Sequence, residues 1–157
     1  MEAPQKYRVA AWWSSGRTGL AKSNSAPNVI HFTAPPEFGG LEGRWTPEDL
    51  LLSAVASCYT TTFQALAEHS KLEYADLEVE VEGSVRKADS GYSFNEIAIR
   101  PNLTISSGQD QTRALHLLQK AKAVCLVARA LAVEQRFEPR VQVGESRVEY
   151  CQALPAV

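Results

Sequence analysis

The sequence predicts an α+β fold: antiparallel sheets around two long central helices, in the order β-β-β-α-β-β-α-β. Three observations carry this. Leu77-Glu78-Val79-Glu80-Val81-Glu82 alternates apolar and acidic residues at period two, as a half-exposed strand does. A stretch that is apolar or small on nearly every side runs from Leu50 to Tyr59 behind a helix-start signal. Leu118, Ala121, Cys125, Ala128 and Ala132 recur at spacings of three and four, which is one stripe of a helix.

The elements follow in order. Tyr7, Val9, Ala11 and Trp13 alternate with Arg8, Ala10 and Trp12 and predict a strand, ended by the turn residues Ser14-Ser15-Gly16. Shorter strands are expected around Leu20 to Lys22 and Val29 to Thr33. Two prolines and two glycines between Ala34 and Gly40 exclude a regular ladder or helix there. At Thr46-Pro47-Glu48-Asp49, Thr46 is the expected N-cap and Pro47 takes the first helical position, where its missing N–H costs little. The acids that follow face the positive end of the helix dipole. The helix from Leu50 onward is expected to be buried all round. Tyr92 to Ile105 is the antiparallel partner of the strand at 77–82, across a turn at Lys87 to Gly91. The second helix is expected from Asp110 to about Gln135, with Cys125 facing the core, and a last strand from Val141 to Tyr150.

A chain of 157 residues with 45% apolar content suits a single domain, residues 1–157, without internal repeats. Sixteen basic and eighteen acidic residues nearly cancel, and no Lys/Arg run offers a footprint for nucleic acid. The N-terminus lacks an apolar signal core, and the most apolar stretch is broken by hydroxyl residues, so a soluble, cytoplasmic protein is expected, without a membrane partner. His31, His69 and His116 share no ligand spacing, so no metal is expected.

Three cysteines without CxxC spacing fit neither a secreted disulfide framework nor a zinc ribbon. In a reducing compartment each is either a small buried apolar residue or a reactive thiol. Cys58 and Cys125 lie on the two long helices, and Cys151 at the end of the last strand. Trp12, Trp13, Phe38, Trp45, Tyr59 and Phe63 either pack the core or wall an apolar pocket.

Gly16-Arg17-Thr18-Gly19, Pro35-Pro36-Glu37-Phe38-Gly39-Gly40, Thr46-Pro47-Glu48-Asp49-Leu50-Leu51, Ala56-Ser57-Cys58 and Ala121-Lys122-Ala123-Val124-Cys125 occur in that order. In these motifs the sequence resembles the OsmC/Ohr family, the osmotically inducible and organic hydroperoxide resistance proteins, from Tyr7 to Tyr150. The most specific part is the spacing from Thr46-Pro47-Glu48 to Cys58. The resemblance implies an OsmC-like fold in an intertwined homodimer. It implies a thiol peroxidase for organic hydroperoxides, with Cys58 peroxidatic, Cys125 resolving it as a disulfide, and an Arg and Glu pair corresponding to Arg17 and Glu48. It also implies no bound cofactor and an external dithiol reductant, typically a lipoyl group on a protein.

The chemistry suits those residue types. A free thiol with a pKa of about 8.5 is only a few per cent ionised at pH 7, and a guanidinium beside it favours the thiolate. Arg44 rivals Arg17 for this part, lying just before the helix. Glu48 and Cys58 stand about 15 Å apart along a straight helix. Either Arg17 bridges from a flexible loop, the helix is broken between them, or the Glu and Cys of one site come from different subunits. In the family the second cysteine is commonly followed by Pro and, two residues later, by a hydroxyl residue. Here Cys125-Leu126-Val127-Ala128 has neither, which predicts a straighter helix and a more apolar setting for Cys125. A non-catalytic module of the same fold, binding an apolar ligand or a redox partner in the dimer cleft, is the alternative function. Acyl transfer by Cys58 is a third reading, weakened because no motif places a histidine as its base.

Overall fold

The computed structural model describes residues 3–145, and the chain divides between Leu51 and Leu52 into two compact units. In the N-terminal unit, strands β1 (Val9–Ser15), β2 (Thr18–Ser23) and β3 (Val29–Thr33) form an antiparallel sheet in the order β1-β2-β3. Leu20 pairs with both Trp12 and His31. Gly19 lets this sheet close up, because a Cβ there would lie 2.5 Å from the Trp12 carbonyl oxygen and 2.4 Å from the Phe32 ring. The Pro35 to Gly40 segment makes one short 3-10 turn, Pro36–Phe38, ended by Gly39 at φ 77°.

Helix α1 (Pro47–Ser70) starts as its sequence predicts. The Asp49 N–H donates to Thr46 Oγ1 at 3.2 Å, and the Thr46 N–H donates back to Asp49 Oδ2 at 2.9 Å, a reciprocal capping box with Asp in the Glu position. The helix is continuous through the boundary between the units, which excludes a break between Glu48 and Cys58. Burial differs from the expectation. The buried positions are Val55, Tyr59, Phe63 and Ala67, a single i, i+4 stripe, and the other apolar side chains of α1 stay partly exposed within this chain.

The C-terminal unit is built on the long antiparallel hairpin of β4 (Asp76–Ala88) and β5 (Gly91–Ile105), both longer than the sequence pattern predicts. Helix α2 (Gln111–Val124) and the short α3 (Leu126–Ala130) follow, then β6 (Glu134–Phe137) and β7 (Arg140–Val143), which both pair in parallel with β5. The expected single helix to Gln135 is thus corrected. It stops at Ala130, and Gln135 belongs to a strand whose side-chain amide donates to the Ala128 carbonyl at 2.7 Å and the Leu131 carbonyl at 3.3 Å. One amide thereby satisfies carbonyls that the helix end leaves open. The expected strand from Val141 overlaps β7; its part beyond residue 145, and Cys151 with it, lies outside the described residues.

The core of this unit joins the α1 stripe to Ile97, Ile99, Leu103 and Ile105 of β5 and to Ala114, Leu117, Leu118 and Ala121 of α2. Tyr59 meets Phe137 with ring centroids 6.0 Å apart and planes tilted by 48°, and Phe63 meets Tyr74 edge-on at 5.5 Å. By length and composition α1 is also apolar enough to cross a membrane. Here it serves as the core helix of this sheet.

Candidate functional site

Cys58 precedes Tyr59 on α1, so it sits at the margin of the buried stripe, half-buried, while Tyr59 points inward. The Tyr59 hydroxyl donates to the Leu118 carbonyl at 2.9 Å and ties α1 to α2. Leu118 lies on α2 two turns before the helix ends at Cys125, so this bond fixes the height of α2 on the helix that carries Cys58.

Cys125 is fully buried, and the helix breaks on it. Its backbone is extended, at φ −61° and ψ 113°, closing α2 and opening α3. The expectation of a straighter helix in the absence of proline is therefore corrected. Val124 and Val127 are β-branched neighbours with weak helix preference, and the break is compensated by the sulfurs. The N–H groups of Leu126 and Val127, freed from helical partners, donate to the Cys58 sulfur, and those of Val127 and Ala128 donate to Cys125.

The structure brings the two cysteines together as a free, hydrogen-bonded pair whose acidities are shifted in opposite directions. Burial alone raises the Cys58 thiol. It is outweighed by donors to the sulfur, the Val127 N–H, the Cys125 thiol, the Thr62 hydroxyl and the Leu126 N–H, which together hold Cys58 below the ordinary thiol range. Cys125 goes the other way. Burial raises it first, the Ala128 and Val127 N–H groups offset part of that, and keeping its proton for Cys58 raises it further. The first proton lost from the pair thus leaves the charge on Cys58, while Cys125 remains the donor.

Arg17 and Glu48 lie in the N-terminal unit. The Arg17 backbone is held where its carbonyl accepts from the Ala34 N–H at 2.9 Å, and its exposed side chain runs over Gly39, whose missing Cβ would sit 3.6 Å from Arg17 Nε. The two sequence motifs around Arg17 and Gly39 thus form one surface. Glu48 is in the first turn of α1, with Oε2 buried and unpaired, and among the described residues neither Arg17 nor the exposed Arg44 makes an ion pair with it. Of the six aromatic candidates, Tyr59 and Phe63 are core, Phe38 is half-buried, and Trp12, Trp13 and Trp45 are exposed by 55%, 77% and 52%. The sequence alone assigns no role at the sulfur to the donors to Cys58 other than Cys125, although the hydroxyls of Thr60, Thr61 and Thr62 are able to hydrogen-bond it. Thr62, four residues past Cys58, carried a visible signal in its spacing; the backbone donors carried none, because they exist only through the break.

The family model of OsmC-like proteins matches residues 40–139, which include both cysteines and Glu48. A Bacillus subtilis (strain 168) protein, YmaD, is 30% identical over 147 residues, covering 90% of this chain and 98% of its own. Among solved structures, the OsmC-like protein VCA0330 of Vibrio cholerae superposes with a TM-score of 0.76 at 16% identity, over 87% of this chain and 99% of that one. The organic hydroperoxide resistance protein OsmC of Legionella pneumophila does so with a TM-score of 0.72 at 23% identity, over 90% and 100%. At such identities these structures speak for the fold. The family model and YmaD speak for descent, and by them this chain belongs to the OsmC/Ohr family.

Proposed function

We propose that the protein is a cytoplasmic, thiol-dependent peroxidase that reduces organic hydroperoxides to alcohols. The observation that carries this reading is the meeting of Cys58 and Cys125 as a free, hydrogen-bonded pair, the first thiol held down and the second pushed up. A nucleophile must be ionised near neutral pH, and its partner must wait as a thiol. The Cys58 thiol, held below its ordinary range by its donors, is shifted toward the first character, and the Cys125 thiol, raised by burial, toward the second.

The reaction runs in three balanced steps. The Cys58 thiolate attacks one peroxide oxygen; the S–O bond forms as the O–O bond breaks, and the departing alkoxide takes a proton to become the alcohol. The Cys58 sulfenic acid then condenses with the Cys125 thiol, giving a disulfide and water. An external dithiol, in our reading a lipoyl group on a protein, reduces that disulfide by exchange and leaves as its own disulfide.

Arg17 serves this scheme by favouring the thiolate and donating to the peroxide oxygens as charge develops. Glu48 orients that guanidinium, and its buried, unpaired Oε2 supports such a role, because a carboxylate oxygen left in that state calls for a cation. We further propose that the protein works as a homodimer. The exposed tryptophans and the apolar residues of α1 left partly uncovered support it, since a window of that helix with mean hydropathy 1.3 is only 22% buried.

Titrating the reduced protein with an alkyl hydroperoxide and mapping its disulfides by mass spectrometry tests the scheme. The expected product is a Cys58–Cys125 disulfide formed with one equivalent of peroxide, with no turnover in Cys58→Ser. Peroxide consumption by Cys58→Ser at the parent rate would end the peroxidase reading. Stoichiometric binding of an apolar ligand that survives loss of either cysteine would point to the non-catalytic module.

A further inference from the structure

Three consecutive threonines follow Cys58 by two residues, and their hydroxyls have different fates. Thr60 donates to the Ala56 carbonyl at 2.9 Å. Thr61 donates to the Ser57 and Cys58 carbonyls, each at 3.1 Å. These are the back-bonds to the preceding turn that helical threonines usually make. Thr62 behaves otherwise. Its matching acceptor would be the Cys58 carbonyl, which already receives the Thr62 N–H of the helix ladder and the Thr61 hydroxyl.

Position four residues on in a continuous helix puts Thr62 on the Cys58 face, one turn along. Because every Cα–Cβ bond leans toward the helix N-terminus, the Thr62 side chain reaches back over that turn, toward the sulfur. Both residues are half-buried, so water competes little for the contact while a reactant keeps access. The titratable neighbour at this sulfur is Cys125, across the α2–α3 break.

We propose that Thr62 is a catalytic residue of this protein, the hydroxyl that holds the Cys58 sulfur from its own helix opposite the Leu126 and Val127 N–H groups. The proposal rests on Cys58 as the nucleophile. It also accounts for the sequence beyond Cys125, where Cys125-Leu126-Val127-Ala128 offers no hydroxyl: the hydroxyl at the sulfur comes from α1 instead.

The test is the rate of Cys58 alkylation by iodoacetamide against pH, in the reduced protein with the modified cysteine identified by mass spectrometry. Thr62→Val keeps the β-branched shape and removes the hydroxyl, and its alkylation midpoint is expected about one pH unit above the parent, a tenfold loss of thiolate at pH values well below it. Thr62→Ser restores the hydroxyl and is expected to return to the parent curve. A Thr62→Val curve that overlays the parent, or a Thr62→Ser curve that moves as far as Thr62→Val, would overturn the proposal. Alkylation needs no peroxide, so this outcome is independent of the turnover of Cys58→Ser, which decides the peroxidase reading by itself.

Discussion

Tyr59 and Cys58 are adjacent in sequence and opposite in use, one locking α1 to α2 and the other facing the thiol partner. Tyr59→Phe removes only the hydroxyl and is expected to cost about 1 kcal/mol in urea unfolding, the net worth of a neutral hydrogen bond. The thiols make stability depend on pH with a definite sign. Cys58 is lowered, so its contribution is present above the free-thiol value and is lost as pH falls through its folded value. Cys125 is raised, so the native state binds more protons than the unfolded chain above the free-thiol value, and stability falls there. The thiol contribution to the urea midpoint is therefore expected to peak at about pH 8.5. Cys58→Ser should flatten the rise on the acid side. The motifs single out Cys58, Cys125, Arg17 and Glu48 as candidates, but the opposite shifts of the two thiols are not legible in them, since they depend on backbone N–H groups from residues distant in sequence.

Elements set by local signals were read well. The capping box at Thr46 and Asp49 and the alternation of β4 need no knowledge of the rest of the chain. What was misread depends on distant partners. Glu134 to Phe137 is a strand because it pairs with Glu96 to Ile99, and the helical spacing of Ala128 and Ala132 gives no hint of that. The Pro35 to Gly40 turn is as strict as its glycines suggest. A Cβ on Gly40 would lie 1.5 Å from the Ala34 carbonyl oxygen, so Gly40→Ala is expected to open this loop, detected as new proteolytic cleavage between residues 34 and 45. Phe63→Ala, at the centre of the α1 stripe, is expected to cost about 3–5 kcal/mol in the same urea assay.

For the molecule as a whole, the sequence pattern of α1 asks for more cover than one chain gives it. An isolated chain leaves Trp12, Trp13 and Trp45 in water together with the outer sides of that helix. Sedimentation at micromolar concentration is expected to show two copies, and Trp12→Glu is expected to shift the population toward the monomer. A parent protein that sediments as a monomer would remove the dimer from the reading. The excess of apolar residues on α1 was visible in the sequence, although the exposure of the tryptophans was not.

The parallel pairing of β6 with β5 also sets the order in which the molecule becomes itself. Ile97 meets Gln135 only after the segment carrying α2, the break and α3 has crossed over, and contacts so far apart along the chain form slowly. On a ribosome, Cys58 emerges long before the break whose N–H groups donate to its sulfur. Until the crossover closes it lacks those donors, so rapid alkylation of Cys58 is expected to serve as a clock for the completion of folding.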